Sequence, residues 1–77
     1  MNGKTFVVTI ITTEKSGEDG NIEHCYHEFE MKGIHEVDVF NQIFYDSKDF
    51  IHYKGPRGRH YYIMKGQIIE ISIKEKE

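Results

Sequence analysis

The chain contains no Leu, no Ala and no Trp. A soluble sequence of its 77 residues would ordinarily carry roughly a dozen Leu plus Ala. Eleven Ile stand in their place, with five Phe and five Tyr. Leu and Ala favour helices, whereas Ile, Val, Phe, Tyr and Thr favour strands. The alphabet therefore predicts a β-rich domain before any pattern is read. The length allows a single domain, 1–77, and no run approaches the ~18–20 apolar residues of a bilayer helix.

Strand one is expected at 4–13, where nearly every residue is β-branched or aromatic. Ser16-Gly17 and Asp19-Gly20 mark a polar turn, and strand two follows at 22–31, making a hairpin with a long acidic loop. Gly33 punctuates the next boundary. From His35 to Asp46 the apolar period changes: Val37, Phe40, Ile43 and Phe44 fall at helical offsets, with Val39 beside them. Glu36 and Asp38 sit in the first turn, where the macrodipole favours carboxylates.

Phe50 to Lys54 reads as strand three. Gly55-Pro56-Arg57-Gly58 reads as a turn, Arg59 to Lys65 as strand four and Ile68 to Glu75 as strand five, joined by a tight turn at Lys65-Gly66 or Gly66-Gln67. Residues 74–77 form a charged tail expected to fray. The expected fold class is α+β, ββαβββ, with a five-stranded, mostly antiparallel sheet and one helix.

A tight turn would place His60, Tyr62 and Met64 on one face with Ile69, Ile71 and Ile73. Tyr61 and Ile63 would share the other with Ile68, Glu70 and Ser72. One helix cannot cover both faces. Either the sheet curls into a partly open small barrel, or its second face, including Tyr61, Ile63 and Ile68, meets another copy as a homodimer.

Charge is uneven. Residues 1–50 hold ten acids and four bases, a net of −6; residues 51–77 hold three acids and six bases, a net of +3. Such a bipolar molecule steers basic partners toward its first hairpin and helix. Carboxylates along those elements can imitate the spacing of duplex phosphates and block a DNA-binding protein. Glu28, Glu30, Glu36, Asp38, Asp46 and Asp49 are the candidate partner-binding residues. The segment 52–62 offers a different reading. There Lys54, Arg57 and Arg59 interleave with Tyr and His, so cations could meet phosphates while Tyr61 stacks on a base.

Catalysis and metal binding find little footing. On a strand, His24 and Cys25 point to opposite faces, leaving only Cys25 and His27 on one side. A structural zinc would need two more ligands, from among His35, His52 and His60. As a nucleophile Cys25 would need a lowered pKa and a base, yet its neighbours are Glu23 and Glu28. No cofactor, metal or enzymatic role is expected. One cysteine excludes an internal disulfide framework. The start, Met1-Asn2-Gly3-Lys4, has no apolar leader segment, so a cytoplasmic location is expected.

Taken whole, the composition resembles that of small host-takeover proteins of lytic phages of Gram-positive bacteria. The likeness extends over the full chain and carries over no functional residue. It implies a stand-alone inhibitor of a host protein, in a class where some members resemble nucleic acid in charge. The expectation is a non-catalytic module that docks an acidic hairpin and helix face on a basic partner. A nucleic-acid-binding hairpin and a ligand-free structural dimer are the alternatives.

Overall fold

The computed structural model describes residues 3–15, 22–46 and 48–77. It has five strands and one α-helix: β1 (Lys4–Lys15), β2 (Ile22–Gly33), α1 (Glu36–Phe44), β3 (Phe50–Lys54), β4 (His60–Met64) and β5 (Ile68–Glu75). Short 3-10 turns occupy Pro56–Gly58 and Lys65–Gln67. The α+β class and the element order match the sequence reading. The polar turn expected at 16–21 lies outside the described residues. No helix among the described residues is long and apolar enough to cross a membrane.

The five strands do not form one sheet. Sheet A has the order β2-β1-β5 and sheet B is the β3-β4 hairpin, all pairings antiparallel. The tight β4–β5 turn expected at 65–67 does not form. A 3-10 turn carries the chain out of sheet B instead, while the Lys65 amide donates to the Asp49 carbonyl at 2.9 Å and closes the β3-β4 ladder. β5 then pairs with the open edge of β1, setting Ile73 beside Val8 and Ile71 beside Ile10. That pairing puts the most apolar strand at the centre of a sheet, where its Val and Ile side chains gain cross-strand partners on both sides.

The core fills the space between sheet A on one side and α1 with sheet B on the other. Phe6, Val8 and Ile10 of β1 pack with Val39 and Ile43 of α1 and with Ile51 and Ile63 of sheet B. Phe29, Met31, Tyr53, Ile68, Ile71 and Ile73 close around them. The strand periodicity of two dictates this division, but in sheet B the sides are opposite to the expected ones. Ile63 is only 2% exposed, and His60, Tyr62 and Met64 face outward. Tyr61, Ile63 and Ile68 thus line the inside of the fold, which removes them from any open dimer face. In β5 a register shift pairs Thr12 with Ile68 and Ile11 with Glu70, leaving Ile69 unpaired and 53% exposed. The bulge inserts one residue and breaks the alternation Ile69-Ile71-Ile73.

α1 is shorter than the 35–46 periodicity predicts and is rotated. Val39 and Ile43, four apart, face the core, whereas Val37 is 65% and Phe40 42% exposed. Gly33 accounts for this seating: a Cβ there would stand 2.8 Å from both Val39 Cγ2 and Asp38 Oδ2. The first turn rests directly on that glycine's backbone. His35 gives no side-chain cap. Asp38 compensates by accepting a hydrogen bond from the Ile34 amide at 2.9 Å, satisfying a donor just before the helix as a capping residue does. The tail expected to fray is held as far as Lys76, whose amide donates to the Thr5 carbonyl and whose Nζ meets Glu30 at 2.7 Å.

Candidate functional site

β2 is an edge of sheet A, and β3 is an edge of sheet B. Among the described residues no backbone hydrogen bond joins them. The two edges border a groove of about 870 Å³, with Glu28–Met31 on one wall and Phe50–Lys54 on the other. Gln42 and Ile43 of α1 and Asp46 line one end, Gly55 and Pro56 the other. Gln42 donates to the Lys32 carbonyl at 3.1 Å and ties the helix to the end of β2.

The groove's deeper side is aromatic and aliphatic. Tyr53 stacks on Phe29 with centroids 4.5 Å apart, and on Tyr61 at 4.9 Å. Its hydroxyl lies 2.9 Å from His27 Nδ1, a hydrogen bond across the gap between the sheets. Burial, and then the neighbouring Tyr61 hydroxyl, push the Tyr53 phenol above its ordinary value. Met31, Ile43 and Ile51 extend the apolar lining.

The rim is charged. Glu28 and Glu30 are exposed on β2, with Asp46 just past the helix, Lys48 before β3 and Lys54 at the end of β3. Asp46 accepts a 2.7 Å hydrogen bond from Lys65 Nζ. That bond, reinforced by the Lys48 amide, holds the carboxyl below its ordinary value against a smaller opposing effect of desolvation.

No protein-family model, no curated protein and no solved structure matches the chain.

The groove brings together residues that the sequence assigned to different readings: Glu28, Glu30 and Asp46 from the acidic set, Lys54 from the basic one. Glu36 and Asp38 lie instead at the start of α1, where Glu36 borders a second depression with Lys4, Phe6, Ile34 and Glu75. Asp49 is exposed just before β3. Arg57 and Arg59 belong to the hairpin tip, and Tyr61 lies inside against Tyr53.

Cys25 and His27 do share the inner face, opposite Thr12 and Ile10, and His27 is engaged by Tyr53. His52 and His60 point out of sheet B. Among the described residues no three His, Cys, Asp or Glu converge as a metal cluster would require. Sequence reasoning missed the Phe29–Tyr53 contact and the groove itself. Both depend on which strands pair, and nothing in the local pattern of β2 or β3 announces an unpaired edge.

Proposed function

We propose that this protein is a non-catalytic protein-binding module that receives an extended peptide segment of its partner in the groove between β2 and β3. The observation that carries this reading is the pair of facing, unpaired strand edges. An unpaired edge presents a row of backbone donors and acceptors, and an extended peptide is the ligand that satisfies them by strand addition. The apolar side chains of Phe29, Met31, Ile51 and Tyr53 would take alternate side chains of the guest. Glu28 and Glu30 on the rim would favour a segment with Lys or Arg facing β2. This narrows the acidic-face reading to the carboxylates that border a cavity.

The test is selection of binders from a random-peptide display library, followed by amide hydrogen exchange on the complex. Slowed exchange at residues 28–31 and 50–54, with basic residues enriched among the selected peptides, is the expected result. Reversing Glu28 and Glu30 to Lys should weaken the selected peptides and flatten their salt dependence. Selected peptides that leave both strand edges exchanging at the free rate would reject the groove as the binding site.

A further inference from the structure

The outer face of the β3-β4 hairpin, on the opposite side of sheet B from the core, has a character of its own. The register pairs Phe50 with Met64, His52 with Tyr62 and Lys54 with His60. Tyr62 is 60% exposed, and Met64, His52, Lys54 and His60 are exposed as well.

The rings on this face are ordered against one another. His52 Nε2 lies 2.8 Å from His60 Nδ1. The two imidazoles are parallel within 10°, with centroids 5.0 Å apart. Nitrogens that close together with centroids that far apart place the rings edge to edge, as one hydrogen-bonded plate rather than a face-to-face stack. Tyr62 stacks on His52 at 4.7 Å and 22°, and Phe50 packs obliquely on Tyr62 at 5.7 Å. Among the described residues no further ring lies on the plate.

The segment that carries this face is basic. Residues 48–65 hold five bases (Lys48, Lys54, Arg57, Arg59, Lys65) and a single acid, Asp49, in a protein whose net charge is −3. Of these bases only Lys65 has an ion-pair partner among the described residues. Two backbone hydrogen bonds close the tip: the Gly55 amide donates to the Arg59 carbonyl at 2.7 Å, and the Arg59 amide to the Pro56 carbonyl at 3.3 Å. Arg57 is the one non-glycine residue with positive φ among the described residues, at 62°, beside Gly58 at 71°. A long cationic side chain is kept where the backbone favours glycine.

We propose that this face binds single-stranded nucleic acid. Flat, exposed rings beside unpaired cations are the chemistry of a base-stacking platform flanked by phosphate contacts. The imidazole plate and Tyr62 offer the stacking surface; Lys54, Arg57 and Arg59 meet the phosphates, with Lys48 at the far end. A duplex keeps its base faces covered, so the platform selects unpaired strands. The sequence pointed to Tyr61, which faces the interior; the residue on the binding face is its neighbour Tyr62. This surface adjoins the β2-β3 groove, whose lining includes Lys48, Phe50, His52 and Lys54, whereas Tyr62, His60, Arg57 and Arg59 lie outside that lining.

Fluorescence anisotropy with labelled twelve-nucleotide oligo-dT, oligo-rU and a mixed duplex, from 25 to 200 mM NaCl, tests the proposal. Saturable binding of a single strand is expected, with log K falling against log salt at a slope of about −2 to −3, the value for three or four phosphate contacts on a single strand. Tyr62→Ala should weaken binding tenfold or more, and Tyr62→Phe should keep it. Lys54→Ala and Arg59→Ala should each reduce the slope by about 0.7. Circular dichroism of each variant controls for folding. Saturable binding of either the dT or the rU strand supports the proposal. Absence of binding at 25 mM NaCl, equal or tighter binding of the duplex, or displacement by poly-glutamate with no effect of Tyr62→Ala would each overturn it.

Discussion

Tyr53 lies against Phe29 with ring centroids 4.5 Å apart and planes within 19°, joining two sheets that share no backbone hydrogen bond among the described residues. The contact does for the sheets what ladder hydrogen bonds do for strands. Removing the ring in Tyr53→Ala should cost roughly 2–3 kcal/mol, below the range for a wholly buried aromatic because Tyr53 is half-buried. Tyr53→Phe keeps the stack and loses the His27 hydrogen bond, at about 0.5–1.5 kcal/mol. Urea unfolding followed by circular dichroism measures both; equal losses would mean that the hydroxyl, not the ring, holds the sheets together.

The same phenol predicts an alkaline limit. Burial raises its pKa above 10.0, so the folded state retains a proton that the unfolded state releases. The stabilisation is complete below pH 10.0 and is lost as pH rises through the folded value. Melting temperatures of the wild type and Tyr53→Phe should converge as pH climbs past 10, tracked alongside tyrosinate absorbance. A constant gap up to pH 11.5 would contradict this.

Asp46 predicts the acid side, with the opposite sign. Its pKa is lowered from 3.8, chiefly by the Lys65 hydrogen bond. Its contribution is therefore present above 3.8 and fades as pH falls through the folded value. Asp46→Asn should be slightly less stable than the wild type at pH 6 and indistinguishable from it at the acid end of the titration. Because the carboxylate is exposed, the difference at pH 6 should shrink in high salt.

Two glycines are seated against side chains. A Cβ at Gly55 would stand 2.6 Å from Tyr61 Cε2, and one at Gly33 would meet Val39 Cγ2 at 2.8 Å. Gly55→Ala and Gly33→Ala should each destabilise by about 1–3 kcal/mol through overpacking. Gly66 has nothing within 4 Å of its Cβ position, so Gly66→Ala serves as the control and should change the urea midpoint little.

Arg57 separates stability from binding. Replacing it with Gly relieves a positive φ and should alter stability by no more than about 1 kcal/mol, since relieved strain and added unfolded-state entropy oppose each other. Affinity for single strands should fall in the same variant. A variant that binds as tightly as the wild type would remove Arg57 from the phosphate contacts.

The bulge in β5 can be read by paired substitutions. Ile71→Thr, on the core side, should cost about 1–2 kcal/mol, whereas Ile69→Thr at the exposed bulge should stay within about 0.5 kcal/mol. Equal costs would place Ile69 inside the fold.

The existence and type of all six elements were legible in the sequence. A Leu- and Ala-free, Ile-rich alphabet fixes local preference, and glycine and polar clusters fix where strands stop. In strand one both faces are apolar, Phe6, Val8 and Ile10 on one and Val7 and Ile11 on the other, and only the assembled core buries the first set. The errors begin where a local pattern fits more than one partner. His60-Tyr61-Tyr62-Ile63-Met64 is apolar or aromatic at every position, so its period of two cannot say which side is inside. Ile69, Ile71 and Ile73 read as one face only if no residue is inserted, and the bulge inserts one. Val37, Phe40, Ile43 and Phe44 satisfy a helical period with Val39 beside them; the packed helix buries Val39 and Ile43, keeps Phe44 against the core and leaves Val37 and Phe40 exposed.

The candidate site was legible only in its parts. Glu28, Glu30, Asp46 and Lys54 were named from charge alone, but their meeting around one groove was not. That meeting follows from β5 pairing with β1 rather than β4, a contact between residues some sixty positions apart. Chain composition and local periodicity determined what elements this protein has and where its charges sit. Which edges are left open, which rings face outward, and thus where a ligand could be received, were decided by long-range burial. Only the assembled core selects among strand pairings that local sequence makes equally acceptable.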